Sequence, residues 1–301
     1  MRAVNRPPPA KIDNIVSKQD DSPLILVTGA TDGIGKQTAI MLAQRGARVI
    51  VHGRTPERAA AAAEDIANQA GTPWVGQAWA DLTSLAEIHA MAEQILATYD
   101  RLDGLINNAG VFMRERVLTR DGFESTYAVN YLAPFALSHL LLPHLIRSND
   151  GRVINVTSSA HIRCRFDWDN MQGEREWDDS FAYASSKLAL MLFSVELSRR
   201  VAMYGITSNA LHPGCVSTKL LKEGFGIEGL DSVEKGAATG VYLALSEEGG
   251  HVTGKYFTEG AVARCHPLAG DPLTTAKFYE RTAAMVGMPA LSRPQRARQN
   301  P

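Results

Sequence analysis

The sequence predicts an α/β fold: one doubly wound sheet of about seven parallel strands, with helices on both faces. Three observations carry that prediction. From Leu24 onward, short apolar runs alternate with longer stretches of helical spacing, the signature of parallel βαβ units. A glycine-rich turn, Gly29 to Gly35, separates the first strand from the first helix. The length of 301 residues suits one large domain and is short for two.

The elements follow in order. Leu24 to Thr28 is a strand, Ile34 to Arg45 a helix, and Arg48 to His52 a second strand. Pro56 to Ala70 is an alanine-rich helix, with Pro56 suited to a first turn. Trp74 to Ala80 is a strand, and Ser84 to Tyr99 a helix capped by Ser84. Leu102 to Ile106 is a strand and Gly122 to Arg147 a long helix. Arg152 to Thr157 is a strand and Phe181 to Met203 another long helix. Ile206 to Leu211, Val233 to Ser246 and Lys255 to Thr258 complete the series as strand, helix and strand. The domain is expected over 23–285, between an N-terminal tail 1–22 and a C-terminal tail 286–301. Two long connections, 160–180 and 215–232, follow strand ends where open α/β sheets bind ligands, and are read as substrate loops.

Composition narrows the function. Hydrophobic residues make up 45%, charged residues 21%, and the formal net charge is −1. No global field favours nucleic acid or an anionic membrane. Residues 1–22 hold Pro7, Pro8, Pro9 and several charges and no apolar stretch, so no membrane anchor is expected. Three widely spaced cysteines, Cys164, Cys215 and Cys265, suit a reduced, cytoplasmic protein. The histidines lack metal-ligand spacing, so no metal is expected.

The turn Thr28-Gly29-Ala30-Thr31-Asp32-Gly33-Ile34-Gly35 sits where a Rossmann-type fold holds a pyrophosphate on a helix N-terminus. Gly29, Thr31, Asp32, Gly33, Ile34 and Gly35 are its candidate cofactor residues. The second strand ends His52-Gly53-Arg54-Thr55, without the carboxylate that would hold the ribose hydroxyls of NAD. Arg54 is either a partner for a 2′-phosphate, making the cofactor NADP(H), or a solvated loop charge. Asp81 and Leu82 are placed for the adenine, although Asp81 also suits a turn. Ala109 and Gly110 let the chain pass close to a cofactor, and Asn107 has either the ligand or nearby backbone as its partner. Pro213, Gly214, Val216 and Thr218 follow the sixth strand and are placed for the nicotinamide amide and phosphates. Cys215 among them lacks an evident base and is read as a loop residue.

Tyr183 and Lys187 are four apart on a helix and share a face. A cation beside a tyrosine favours the phenolate, so Tyr183 is the candidate acid/base and Lys187 its tuning charge. Ser158 and Ser159 both end the fifth strand; one hydroxyl would hold a substrate oxygen. Asn130 is helix-disfavoured and would either bend its helix and anchor a relay water or sit there as a tolerated polar residue.

Together, TGATDGIG at 28–35, NNAG at 107–110, Asn130, NVTSS at 155–159, YASSK at 183–187 and HPGCVST at 212–218 resemble the short-chain dehydrogenase/reductase family over roughly Leu24 to Gly260. The resemblance implies a catalytic tetrad of Asn130, Ser158, Tyr183 and Lys187, with Ser158 in the second serine position of the family's strand-end motif. Ser158 and Tyr183 are 183 − 158 = 25 positions apart, about twice the family's usual interval. With SSAH at 158–161 and GKYF at 254–257, that gap resembles the retinol-dehydrogenase-like branch. The implied function is NADP(H)-dependent interconversion of alcohol and carbonyl on a fairly apolar small molecule. The alternatives are a non-catalytic NADP(H) sensor and a C=C reductase. Phe166, Trp168, Trp177, Leu220, Leu221 and Phe225 are the apolar candidates for substrate contact. Helices near 122–147 and 181–203 often pair subunits in this family, which would make a homo-oligomer.

Overall fold

The computed structural model describes residues 21–293, so most of the expected N-terminal tail and residues 294–301 lie outside the described residues. Eight strands form one sheet in the order β3-β2-β1-β4-β5-β6-β7-β8. They are β1 (Leu24–Val27), β2 (Arg48–Gly53), β3 (Val75–Trp79), β4 (Gly104–Asn107), β5 (Arg152–Val156), β6 (Thr207–His212), β7 (Tyr256–Thr258) and β8 (Ala261–Val262). The first seven are parallel. β8 is antiparallel to β7 and is one strand more than the sequence predicted. The intervening Glu259 and Gly260 both have positive φ, 49° and 75°, as a two-residue hairpin of primed type requires.

The helices are α1 (Gly33–Gln44), α2 (Pro56–Ala70), α3 (Leu85–Thr98), α4 (Ser125–Tyr127), α5 (Ala133–Leu140), α6 (Leu142–Ile146), α7 (Asp179–Val201), α8 (Val233–Leu245), α9 (Glu247–His251) and α10 (Pro272–Met285). Local chemistry explains most of their ends. The Thr55 hydroxyl accepts from the Arg58 N–H at the start of α2, and Gly71 closes it with φ 69°. Ser84 caps α3 and Asp178 caps α7.

All four residues of β1 are buried, as a sheet covered on both sides demands. Ile25 and Val27 join α1, α2 and α8 in one core, which includes Leu42, Ile66 and Val241. Leu24 and Leu26 face the other, which includes Ile88, Phe135, Phe193 and Phe278.

The expected long helix 122–147 is interrupted. After α4 the chain makes a π-helical turn, Ala128–Leu132, before α5. The Ala133 N–H reaches back to the Ala128 carbonyl, and Pro134 has no N–H to continue the tighter ladder. Asn130 sits in the middle of that turn. Residues 286–293, expected in a tail, lie against the body instead. Val286 and Met288 are buried, and the Arg293 guanidinium pairs with the buried Glu196 carboxylate on α7. Among the described residues no helix is long and apolar enough to cross a membrane.

Candidate active site

The strand order reverses between β1 and β4, and a cleft of about 1070 Å³ opens over the C-terminal ends of these strands. It is the crevice expected at such a switch point. The glycine turn forms one wall. Gly29 has φ +62°, and a Cβ there would lie 2.8 Å from the Ala109 Cα. A Cβ on Gly35 would lie 2.3 Å from the Gly29 carbonyl oxygen. Both glycines are thus required by backbone-to-backbone contact. The turn is fastened to the loop after β4: the Thr28 hydroxyl accepts from Asn108 N–H at 2.9 Å and Ala109 N–H at 3.0 Å. The Asn108 amide donates to the carbonyls of Thr28 and Gly29.

His52 braces the same turn from β2. Its Nδ1 accepts from the Gly29 N–H at 3.0 Å, and its Nε2 is 3.1 Å from the Ala80 carbonyl. Those partners select the neutral Nε2–H tautomer, and burial holds its pKa down to about 4.

Gly29, Thr31, Asp32, Gly33, Ile34, Gly35, Arg54, Asp81, Leu82, Ala109, Gly110, Pro213, Gly214, Val216 and Thr218 all line the cleft, with Ser158, Tyr183 and Lys187. Asp32 also caps α1 by accepting from the Gly33 N–H at 2.8 Å. Asp81 accepts from the Thr83 N–H and hydroxyl in a tight turn, as the turn reading has it, and also lines the cleft. Arg54 is 4.0 Å from Asp81 and more than half exposed. Arg58, in the first turn of α2, lines the same cleft. Sequence reading missed Arg58, His52 and Asn108.

Two expected site residues stand off the cleft. The Asn107 side chain points into the core, where its amide donates to Asn155 Oδ1 at 2.8 Å and Ser138 Oγ at 3.4 Å. The neighbouring Asn108 lines the cleft instead. Asn130 is fully buried, and its amide acts as a backbone mimic. Oδ1 accepts from the Val111 N–H at 2.7 Å, while Nδ2 donates to the Val111 carbonyl and to Ser186 Oγ, both at 3.0 Å. Its side chain is therefore spent on clamping the loop after β4 to α7.

At the other end, Tyr183 and Lys187 share a face of α7, with Lys187 Nζ 5.6 Å from the Tyr183 ring centre. Burial pushes the Tyr183 phenol up to about 12, opposed by a hydrogen bond from the Ser158 side chain. Burial, with no contribution from Lys187, sets the direction of that shift. Lys187 is itself pushed down to about 8 by burial and donates to the Val156 carbonyl at 3.0 Å. Ser158 and Ser159 both line the cleft, Ser158 half-buried and Ser159 exposed at the start of the following turn.

The two substrate loops divide. Phe166 and Trp168 pack edge to face at 4.8 Å and lean on Phe278 of α10. Lys277 lies 4.8 Å over the Trp168 ring. Trp177 packs on Gly173. None of the three aromatics lines the cleft; from that loop Ala160, Ile162 and Arg163 do. Leu220, Leu221 and Phe225 from the second loop line it as expected. Phe225 and Phe112 (the latter missed from sequence) pack tilted against each other at 4.5 Å and against Tyr183 at 5.2 and 5.5 Å.

Residues 23–225 match the family described as short chain dehydrogenase. The chain belongs to the short-chain dehydrogenase family. Human retinol dehydrogenase 13 is 39% identical to this dehydrogenase over 89% of the chain and 86% of its own length, which places the chain in the retinol-dehydrogenase-like branch. Among solved structures, an uncharacterised protein from Mycobacterium paratuberculosis is 29% identical with a TM-score of 0.74, covering 89% of this dehydrogenase and 94% of that chain. A short chain dehydrogenase from Escherichia coli CFT073, solved in complex with NADPH, is 27% identical with a TM-score of 0.67, covering 79% and 97%.

Proposed function

We propose that this dehydrogenase uses NADP(H) to interconvert an alcohol and a carbonyl on a fairly apolar small molecule, with Tyr183 as acid/base. The observation that carries the reading is the joining of two features in one cleft. A glycine cradle with Arg54 and Arg58 occupies one end, and Ser158, Tyr183 and Lys187 the other.

The residues fit the cofactor. The space that a Cβ on Gly29 or Gly35 would fill is bounded by main chain, which suits close approach of a pyrophosphate. Arg54 and Arg58 are the cations for a 2′-phosphate. The E. coli neighbour, solved with NADPH, supports that choice. When bound, the nicotinamide supplies or accepts the hydride.

The protein's own part is the proton. With its pKa near 12, Tyr183 is a neutral phenol at neutral pH, ready to donate to a developing alkoxide. Ser158 donates a hydrogen bond to the same oxygen and opposes its charge. Lys187 stays mostly charged at neutral pH with a pKa of about 8, and its ammonium favours the phenolate left after proton transfer. Asn130 acts at one remove by holding Val111 against α7. Phe112, Phe225, Leu220, Leu221 and Ile162 make the substrate end apolar. The name of the human relative, retinol dehydrogenase 13, agrees with an apolar alcohol as substrate.

The test is NADPH oxidation by the purified protein with nonanal, benzaldehyde or retinal, and product analysis with an α,β-unsaturated ketone. The expected result is reduction of at least one aldehyde to its alcohol, faster with NADPH than with NADH. Saturation of the C=C bond with no carbonyl reduction would contradict the reading, as would cofactor binding with no turnover.

A further inference from the structure

His161 takes no part in the chemistry above, yet it is tied to the residue that does. Ser158 leads into a short 3-10 turn, Ser159–Arg163, in which only His161 is buried. The imidazole is fully excluded from solvent and is the peg that holds this otherwise exposed turn to the body. Its Nδ1 lies 2.5 Å from the Ser158 carbonyl oxygen, which also accepts the His161 backbone N–H at 3.1 Å. A carbonyl only accepts, so Nδ1 carries a proton. Burial holds the ring's pKa down to about 4, which leaves the neutral Nδ1–H tautomer. The ring meets Tyr256 of β7 edge to face at 4.7 Å.

Stability alone does not account for a histidine here. Its Nε2 is buried without a hydrogen-bond partner among the described residues, and an orphaned buried acceptor costs about 1–3 kcal/mol. A phenyl ring would fill the same space beside Tyr256 without that cost. What a phenyl ring cannot supply is the N–H to the Ser158 carbonyl. The Ser158 hydroxyl accepts from the Ala160 N–H at 3.2 Å and shares the cleft with Tyr183. Its aim therefore depends on the turn holding still.

We propose that His161 is a positioning residue for the reaction: it grips the Ser158 carbonyl and so fixes the Ser158 hydroxyl beside Tyr183. The inference rests on the roles of Ser158 and Tyr183 proposed above. Two variants separate its parts. His161→Phe keeps a ring against Tyr256 and removes the donor. His161→Asn offers an amide N–H where Nδ1 lies and removes the ring.

The assay is NADPH oxidation with whichever of nonanal, benzaldehyde and retinal the wild type reduces fastest, alongside fluorescence titration of NADPH. His161→Phe should lower kcat by about tenfold to a hundredfold, the scale of an ångström-sized misplacement. KM and the NADPH Kd should stay within about threefold, and His161→Asn should recover most of kcat. The inference is overturned if His161→Phe keeps kcat within about twofold, if kcat and NADPH affinity fall together, or if His161→Asn does no better than His161→Phe. Should His161→Phe fail to fold, side-chain 15N shifts of the wild type decide. A neutral Nδ1–H ring at His161 supports the inference, and an Nε2–H ring overturns it. A wild type inactive on all three aldehydes sinks the underlying reading as well; the outcomes named for the variants sink this inference alone.

Discussion

The two ends of the cleft are built differently. At the cofactor end the close contacts are between main chains: Gly29 against Ala109 and Gly35 against the Gly29 carbonyl. No rotamer change can relieve such a contact. At the substrate end the walls are side chains on long loops. Ile162, Phe225 and Ile227 there are 42%, 37% and 50% exposed, and side chains of that kind can repack. On the proposed function, the rigid cradle would hold the cofactor and the adaptable rim the substrate.

The sharpest way to break this comparison is Gly35→Ala. The added methyl has no space, and NADPH affinity should fall by about a hundredfold or more. Retention of near wild-type affinity by titration would show that the cradle is softer than its contacts indicate.

Lys187 joins the two ends and carries the next effect. Its folded pKa of about 8 lies below its ordinary 10.5. Between those values the unfolded chain holds a proton that the native state has lost, so this group's contribution makes stability rise with pH across that window. Below pH 8 the buried charge costs about 3 kcal/mol. Lys187→Met should remove that cost, partly offset by the lost bond to Val156. Its Tm at pH 7 should match or exceed that of the wild type by calorimetry, with turnover lost. An unchanged pH dependence of stability between 8 and 10.5 would contradict the sign.

Arg54→Asp should weaken NADPH by about tenfold or more and narrow the gap to NADH. An unchanged preference would leave the selection to Arg58.

The smallest effects separate the two loops. Phe225→Ala should raise KM by about tenfold with NADPH affinity unchanged, because Phe225 lines the cleft. Trp168→Ala should lower Tm but leave kcat/KM within about twofold, because Trp168 packs on Phe278 and Lys277. A Trp168 variant with impaired KM would return that loop to the substrate.

Legibility in the sequence followed the same divide. The glycine turn, the second-strand arginine and the Tyr183/Lys187 pair were readable because local spacing alone places them. The two asparagines at the end of β4 were not, because one residue decides which is still in the strand and faces the core. Asn130 lies in the π-helical turn, but its partners Val111 and Ser186 come from other elements. Phe166 and Trp168 were misassigned because the helix that covers them, α10, lies far along the chain. The eighth strand was hidden by its length of two residues. Residues 286–293 were read as tail because their anchor, Glu196, sits on α7.

The most direct test of the account is Tyr183→Phe, assayed for NADPH binding and for carbonyl reduction in parallel. The variant keeps the ring that packs on Phe112 and Phe225 and loses only the hydroxyl. The account predicts a NADPH Kd within about twofold of wild type and a fall in kcat of about a hundredfold to ten-thousandfold. A variant that still reduces the aldehyde at a near wild-type rate would contradict it.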